Sequence, residues 1–170
     1  VVVSNVPSAR ALTVANEAGI PAVAVRPKDH PAPADYEKAV LSVLQSHGVH
    51  MIALAGYMKL LGPTLLEAFP NRIVNIHPSL LPAFPGLHAQ RQALEYGVRF
   101  SGCTVHFVDE GLDSGPIIGQ RIVPVLPDDT EETLSARILA QEHELYPSVI
   151  KLLTEQPWRL RGRIFELIEK

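Results

Sequence analysis

Short apolar runs rich in β-branched residues alternate, through the first two thirds of the chain, with stretches whose apolar positions recur at helical spacing. Val1-Val2-Val3-Ser4 is the first such run and predicts a buried strand. Ser8 is placed to cap a helix through Ala18, with Leu12, Ala15 and Asn16 in period and Gly19 as its terminator. Ala22 to Val25 predicts a second strand. Arg26 to Ala34 carries three prolines and no period, so it is a loop. A helix then starts at Ala34 or Asp35, turns a Tyr36, Val40, Val43, Leu44 stripe to the core, and ends at Gly48. Met51 to Leu54 is a third strand.

Ala55 to Gly62 is a loop with glycine near both ends, and Pro63 suits the first turn of a short helix to Phe69. Ile73 to His77 is the next strand, stopped by a turn carrying Pro78, Pro82 and Pro85. His88 to Tyr96 reads as a helix closed by Gly97, and Cys103 to Val108 and Ile117 to Val125 as two further strands. The acidic segment Asp109 to Pro116 joins them as a loop. Asp129 with Glu132 predicts a capping arrangement for a long helix through Tyr146, where Pro147 marks a break or kink. Alternating strands and helices imply α/β class: a mainly parallel sheet flanked by helices, with later strands added at an edge.

Composition narrows the picture. A chain of 170 residues with 46% hydrophobic content is long enough for one cored domain and short for two, so a single domain over 1–170 is expected. Its 15 Lys and Arg stand against 18 Asp and Glu, scattered apart from a cluster at Arg159, Arg161 and Arg163, a pattern that argues against a nucleic-acid partner. One cysteine, Cys103, excludes an internal disulfide and fits a reducing, cytoplasmic setting. No apolar run approaches membrane length.

Candidate chemistry concentrates at the end of the Ile73–His77 run. Side chains two apart on a strand share a face, so the Asn75 amide and His77 imidazole leave the strand together, and Pro78 holds His77 extended. A histidine alone in an apolar run reads as a core residue satisfied by backbone. Asn75 beside it, the proline behind it and its strand-end position favour a ligand site instead. Asp113 is either a turn residue of Leu112-Asp113-Ser114-Gly115-Pro116 or a group that orients His77. A metal site of His77, His88, His106 and Asp113 is disfavoured because no short His or Cys spacing supports it. Cys103, in an apolar strand, is a poor nucleophile, and no Gly-x-Ser-x-Gly elbow is present.

Three segments, Leu54-Ala55-Gly56-Tyr57-Met58, Asn75-Ile76-His77-Pro78-Ser79-Leu80-Leu81-Pro82 and Leu112-Asp113-Ser114-Gly115-Pro116, resemble the folate-dependent formyltransferases. Phe84-Pro85-Gly86-Leu87-His88 and Gln141-Glu142-His143-Glu144-Leu145-Tyr146-Pro147 are similar to the branch acting on glycinamide ribonucleotide (GAR) in purine biosynthesis. This resemblance implies a Rossmann-like formyltransferase fold and a catalytic trio at Asn75, His77 and Asp113. It implies folate contacts at Met58, Lys59, Leu60, Leu61, Asp109, Glu110, Gly111 and Leu112, and ribonucleotide contacts at Pro78, His88 and Glu142. The co-substrate it implies is 10-formyltetrahydrofolate with no metal, and the partners are small molecules, without nucleic acid or membrane, with a homodimer as an option.

The family also opens with a strand and a phosphate-holding turn, which the resemblance places ahead of Val1, so an N-terminally incomplete domain is expected. An arginine expected between His30 and Ala34 is replaced by prolines, with Arg26 and Lys28 the nearest cations. Alternatives within the fold are a formyltetrahydrofolate hydrolase or transfer to another amine; outside catalysis, the alternative is a folate-binding module.

Overall fold

The parallel part of the molecule begins with two strands too short to bury an apolar face without a helix on it. The computed structural model describes residues 1–168 and divides into two compact units, Val1–Ile52 with Leu61–Pro70 and Ala53–Leu60 with the rest from Asn71. In the first unit β1 (Val2–Ser4) pairs in parallel with β2 (Ala22–Ala24), and α1 (Arg10–Glu17) crosses between them with Leu12 and Ala15 buried. This is the strand–helix–strand unit that parallel pairing requires. Ser8 does not cap α1: Ala9 occupies that position, with no side-chain cap bond. A single 3-10 turn at Pro27–Asp29 occupies the proline-rich loop, and α2 (Pro33–Ser46) begins at its proline, where a missing N–H costs nothing. β3 (Ile52–Ala53) and α3 (Pro63–Ala68) follow, and α3 starts at Pro63 as expected. Glu37, buried on α2, accepts a hydrogen bond from the Gly62 amide at the head of α3.

The second unit carries β4 (Ile73–His77), β5 (Phe100–Phe107) and β6 (Ile117–Pro124) side by side, β5 antiparallel to each of its two neighbours. Parallel pairing early and antiparallel strands late is the α/β arrangement expected. The strand expected from Cys103 starts at Phe100, because Ser101 and Gly102 are buried and paired with Val123 and Ile122. Between β4 and β5 lies α4 (Ala89–Tyr96), with Gly97 closing it at φ 77.

One long helix, α5 (Glu131–Glu155), packs across β5 and β6. The break expected at Pro147 is absent: the helix continues past the proline to Glu155. Interior proline costs about 3 kcal/mol. Leu134, Ile138, Leu145, Val149 and Leu153 are all buried along one stripe, at roughly 1.5–3 kcal/mol each, so the stripe outweighs the proline. The expected Asp129/Glu132 cap is also displaced by one residue. Thr130 and Thr133 form a reciprocal capping box, while Asp129 takes the Arg137 guanidinium on both oxygens, which with its backbone and Thr133 bonds holds its carboxyl well below the usual range. Beyond α5, β7 (Trp158–Arg161) and β8 (Ile164–Leu167) form an antiparallel hairpin. Sequence reading had noted only a basic cluster there. Trp158 and Phe165 pack against Phe107 in tilted arrangements, with ring centroids 5.1 and 6.3 Å away.

Candidate functional site

Register between β4 and β5 decides which polar groups meet. Asn75 pairs with His106 and His77 with Thr104, so all four side chains emerge on one face of the sheet. The opposite face is apolar: Val74, Val105 and Phe107 are buried, and Leu145 and Val149 of α5 lie within contact of where a Gly119 side chain would stand.

Thr104 ties the turn after His77 to the sheet. Its hydroxyl donates to the Ser79 carbonyl (2.7 Å) and accepts from the Leu81 amide (3.1 Å) and the Gln120 amide (2.9 Å). The Gln120 amide also donates to the Leu81 carbonyl, and Leu81-Pro82 is cis. Ser79 donates to the carbonyls of Ala83 and Phe84, bending the chain back over His77. These bonds fix the turn without help from a ligand.

His77, 5% exposed, has both ring nitrogens engaged. Nε2 lies 2.8 Å from the Phe84 carbonyl and Nδ1 3.3 Å from Asp113 Oδ2. Both nitrogens thus face oxygens, so the ring is held from two sides. Asp113 therefore leaves the turn-residue reading behind: it arrives from the loop after β5, and the Gly86 amide also donates to its Oδ2 (2.8 Å). Its other oxygen faces His106 Nε2 at 3.8 Å.

His106 is the residue that sequence reading missed at this site, having weighed it only as a metal ligand. It is 2% exposed, donates from Nδ1 to the Phe107 carbonyl (2.8 Å), and has no hydrogen bond at Nε2 among the described residues. Burial drives its pKa down, against the pull of the Phe107 carbonyl and Asp113. The alternation Gly102, Thr104, His106 along β5 was the available signal. Asn75 is half-buried, and its amide has no hydrogen bond among the described residues, so it is open to a ligand on the same face as His77.

Other expected contacts are less concentrated. Met58 and Leu60 are 79% and 66% exposed, and Leu112 is 56% exposed, an unusual display of large apolar side chains on the loops assigned to folate. Lys59, Glu110 and Gly111 are exposed, Asp109 is half-buried, and Leu61 is half-buried in the first unit. Pro78 is half-buried directly behind His77. His88 is exposed, in the left-handed region at the head of α4, and Glu142 is half-buried on α5 with its pKa raised by burial. No hydrogen bond or ion pair joins either to His77 or Asp113 among the described residues. Of the cations standing in for the expected arginine, Arg26 is paired with Asp29 at 2.6 Å and Lys28 is exposed. Cys103 is fully buried, and burial together with nearby Glu142 pushes its thiol up to about 11, a poor nucleophile. Among the described residues no group of three or more His, Cys, Asp or Glu is arranged to hold a metal ion.

A carboxylate between two buried histidines, with an open carboxamide on the same face, can polarise a carbonyl and move a proton. It offers no nucleophile of its own. Comparison with known proteins points the same way. The phosphoribosylglycinamide formyltransferase of Bacillus subtilis is 50% identical over 151 residues, covering 89% of this chain and 77% of that protein. The corresponding protein of Mycobacterium tuberculosis is 43% identical over 154 residues, covering 91% and 72%. Among solved structures, glycinamide ribonucleotide transformylase 1 of Symbiobacterium toebii superposes with a TM-score of 0.94 at 50% identity, over 98% of this chain and 79% of that one. A formyltetrahydrofolate deformylase of Pseudomonas syringae shares the fold at a TM-score of 0.88 and 27% identity, over 98% and 55%. With the Formyl transferase family model matching residues 1–150, the chain belongs to the formyl transferase family.

Proposed function

We propose that this chain transfers the formyl group of 10-formyltetrahydrofolate to the primary amine of glycinamide ribonucleotide, with Asn75, His77 and Asp113 as the catalytic trio. The observation that carries the reading is the His77–Asp113 pair at 3.3 Å beside an Asn75 amide open to a ligand on the same face. Relatives at 43–50% identity named for that reaction support the choice of substrates.

The chemistry follows from charge. The amine nitrogen attacks the formyl carbon, forming one C–N bond and turning the carbonyl oxygen into an oxyanion. Asn75 donates its amide to that oxygen, a type of interaction whose loss costs roughly 3 kcal/mol in acyl transfer. The attacking nitrogen then sheds a proton, the bond to N10 breaks, and N10 gains a proton. His77 relays these protons, and Asp113 holds the imidazole and balances its positive charge. His77 Nε2 is bonded to the Phe84 carbonyl, so delivery of its proton requires the 83–87 turn to yield that bond to substrate. The exposed Met58, Leu60 and Leu112 supply an apolar surface for the pterin, and Pro78, His88 and Glu142 are assigned to the ribonucleotide. A cytoplasmic setting and one formyltransferase domain spanning both units complete the reading.

Its test is product analysis with the full-length protein and both substrates. Formyl on the ribonucleotide amine, with stoichiometric loss of formyl from the folate, is the expected result. Free formate in its place would turn the reading to a deformylase, as in the Pseudomonas syringae neighbour, and folate binding without turnover would leave only a binding module.

A further inference from the structure

Asp113 reaches His77 on a loop that has no strand or helix of its own, and the contact closing that loop comes from the far end of the chain. Arg163, at the turn of the β7–β8 hairpin, donates from Nη2 to the Ser114 carbonyl and, at 3.3 Å, to the Gly115 carbonyl. Those two carbonyls directly follow Asp113. The hairpin is itself anchored. Trp158 and Phe165 pack tilted against Phe107, the last residue of β5 before the loop, and the Trp158 indole N–H donates to the Leu153 carbonyl at the end of α5. Arg159 and Arg161 of the same cluster are both taken by Glu166, whereas Arg163 turns to the loop. Inside the loop, Asp109 Oδ1 accepts from the Gly111 amide and the Ser114 hydroxyl. Asp113 sits at φ 49, a left-handed conformation that a non-glycine residue keeps only when its surroundings impose it.

We propose that Arg163 is a positioning residue for formyl transfer: by pinning the Ser114 and Gly115 carbonyls it holds the Asp113 carboxyl against His77. This rests on the function proposed above and adds to it a residue beyond the segment matched by the family model, which ends at residue 150. The C-terminal hairpin thereby becomes part of the support of the active site. A planar guanidinium suits two neighbouring carbonyls, while an ammonium on a flexible stem serves as a point donor. Arg163 is exposed, and exposed charged contacts add little to global stability. Its loss therefore reads out in turnover rather than in melting.

The experiment compares Arg163→Met and Arg163→Lys with the parent in the full-length protein, measuring kcat, KM for each substrate and thermal midpoint. A misplacement of the orienting carboxyl predicts a kcat about tenfold or more lower for Arg163→Met, KM within about twofold for both substrates, and partial recovery in Arg163→Lys. Should Arg163→Met fold poorly, Arg163→Lys supplies the same reading, with kcat reduced at an unchanged midpoint. Parental kcat in the folded Met variant would overturn the inference, as would a loss confined to KM for the formyl folate, which would make Arg163 a binding group. Inactivity of the unsubstituted protein would remove the proposed function and this inference together; an active parent indifferent to Arg163 would remove the inference alone.

Discussion

The end of β4 and the loop from Asp109 to Pro116 deliver the two partners of the His77–Asp113 contact by opposite means. His77 stands on a strand whose neighbour β5 fixes its register, with a buried Thr104 pinning the turn behind it. Asp113 stands on a loop held by a self-bonded Asp109, by a close fit of Gly115 to β5, and by Arg163 from the terminal hairpin. The strand gives precision through contacts that folding makes in any case. The loop obtains it from a few distant donors, so it is the half in which small changes alter geometry without unfolding the protein.

Removing the strand-borne groups gives the largest expected effect. Asn75→Ala deletes a half-buried amide with no partner among the described residues, so stability should hold while kcat falls by about 10²–10³. His77→Ala should cost turnover at least as much, with some stability lost as well because the ring is buried between Phe84 and Asp113. Steady-state kinetics with thermal melts check both. Near-parental formyl transfer by either variant would take that residue out of the trio.

An intermediate effect tests the loop. A Cβ on Gly115 would lie 1.7 Å from the Phe107 carbonyl oxygen, so Gly115→Ala must push the loop away from the end of β5 and strain the Phe107–Pro116 backbone hydrogen bond. Overpacking of this kind costs about 1–3 kcal/mol. Because Asp113 is two residues away, kcat should fall further than the loss of folded protein explains. A variant whose activity follows its folded fraction alone would show that the loop tolerates displacement, and the contrast with β4 would lose its force.

How much could be seen beforehand divides along the same line. Asn75 and His77 were legible because their relation is local, two residues apart on a β-branched run that a proline ends. Asp113 was legible only through its motif, since nothing in Leu-Asp-Ser-Gly-Pro distinguishes a turn from an orienting carboxylate. His106 was missed because its place opposite Asn75 comes from pairing β4 with β5, and Arg163 because its partners lie 48 and 49 residues away. The fold misjudgements are alike in kind. Local rules put a break or kink at Pro147, yet the helix continues to Glu155 with Val149 and Leu153 buried beyond the proline. They put its cap at Asp129, yet the two threonine hydroxyls took that task and Asp129 turned to Arg137. Alternating Trp158, Leu160 with Arg159, Arg161 marks a hairpin strand once Phe107 is known to lie beneath it.

The smallest expected effect concerns the residue that joins the two regions. His106 belongs to the strand scaffold, yet its Nε2 faces the loop's Asp113, with His77 and Asp109 as the other titratable neighbours. Burial lowers its folded pKa below the ordinary 6.5, so between those two values the unfolded chain binds more protons. Stability from keeping this ring neutral is present above 6.5 and is lost as the pH falls toward the folded value. Stability, read as the thermal midpoint, should therefore decline as the pH falls below about 6.5, at a slope bounded by roughly 1.4 kcal/mol per pH unit for one group. His106→Gln removes the titration and should flatten the decline while leaving the sheet paired. An unchanged slope in that variant would place the acid sensitivity elsewhere; a flattened slope with reduced turnover would show that strand and loop meet at this imidazole.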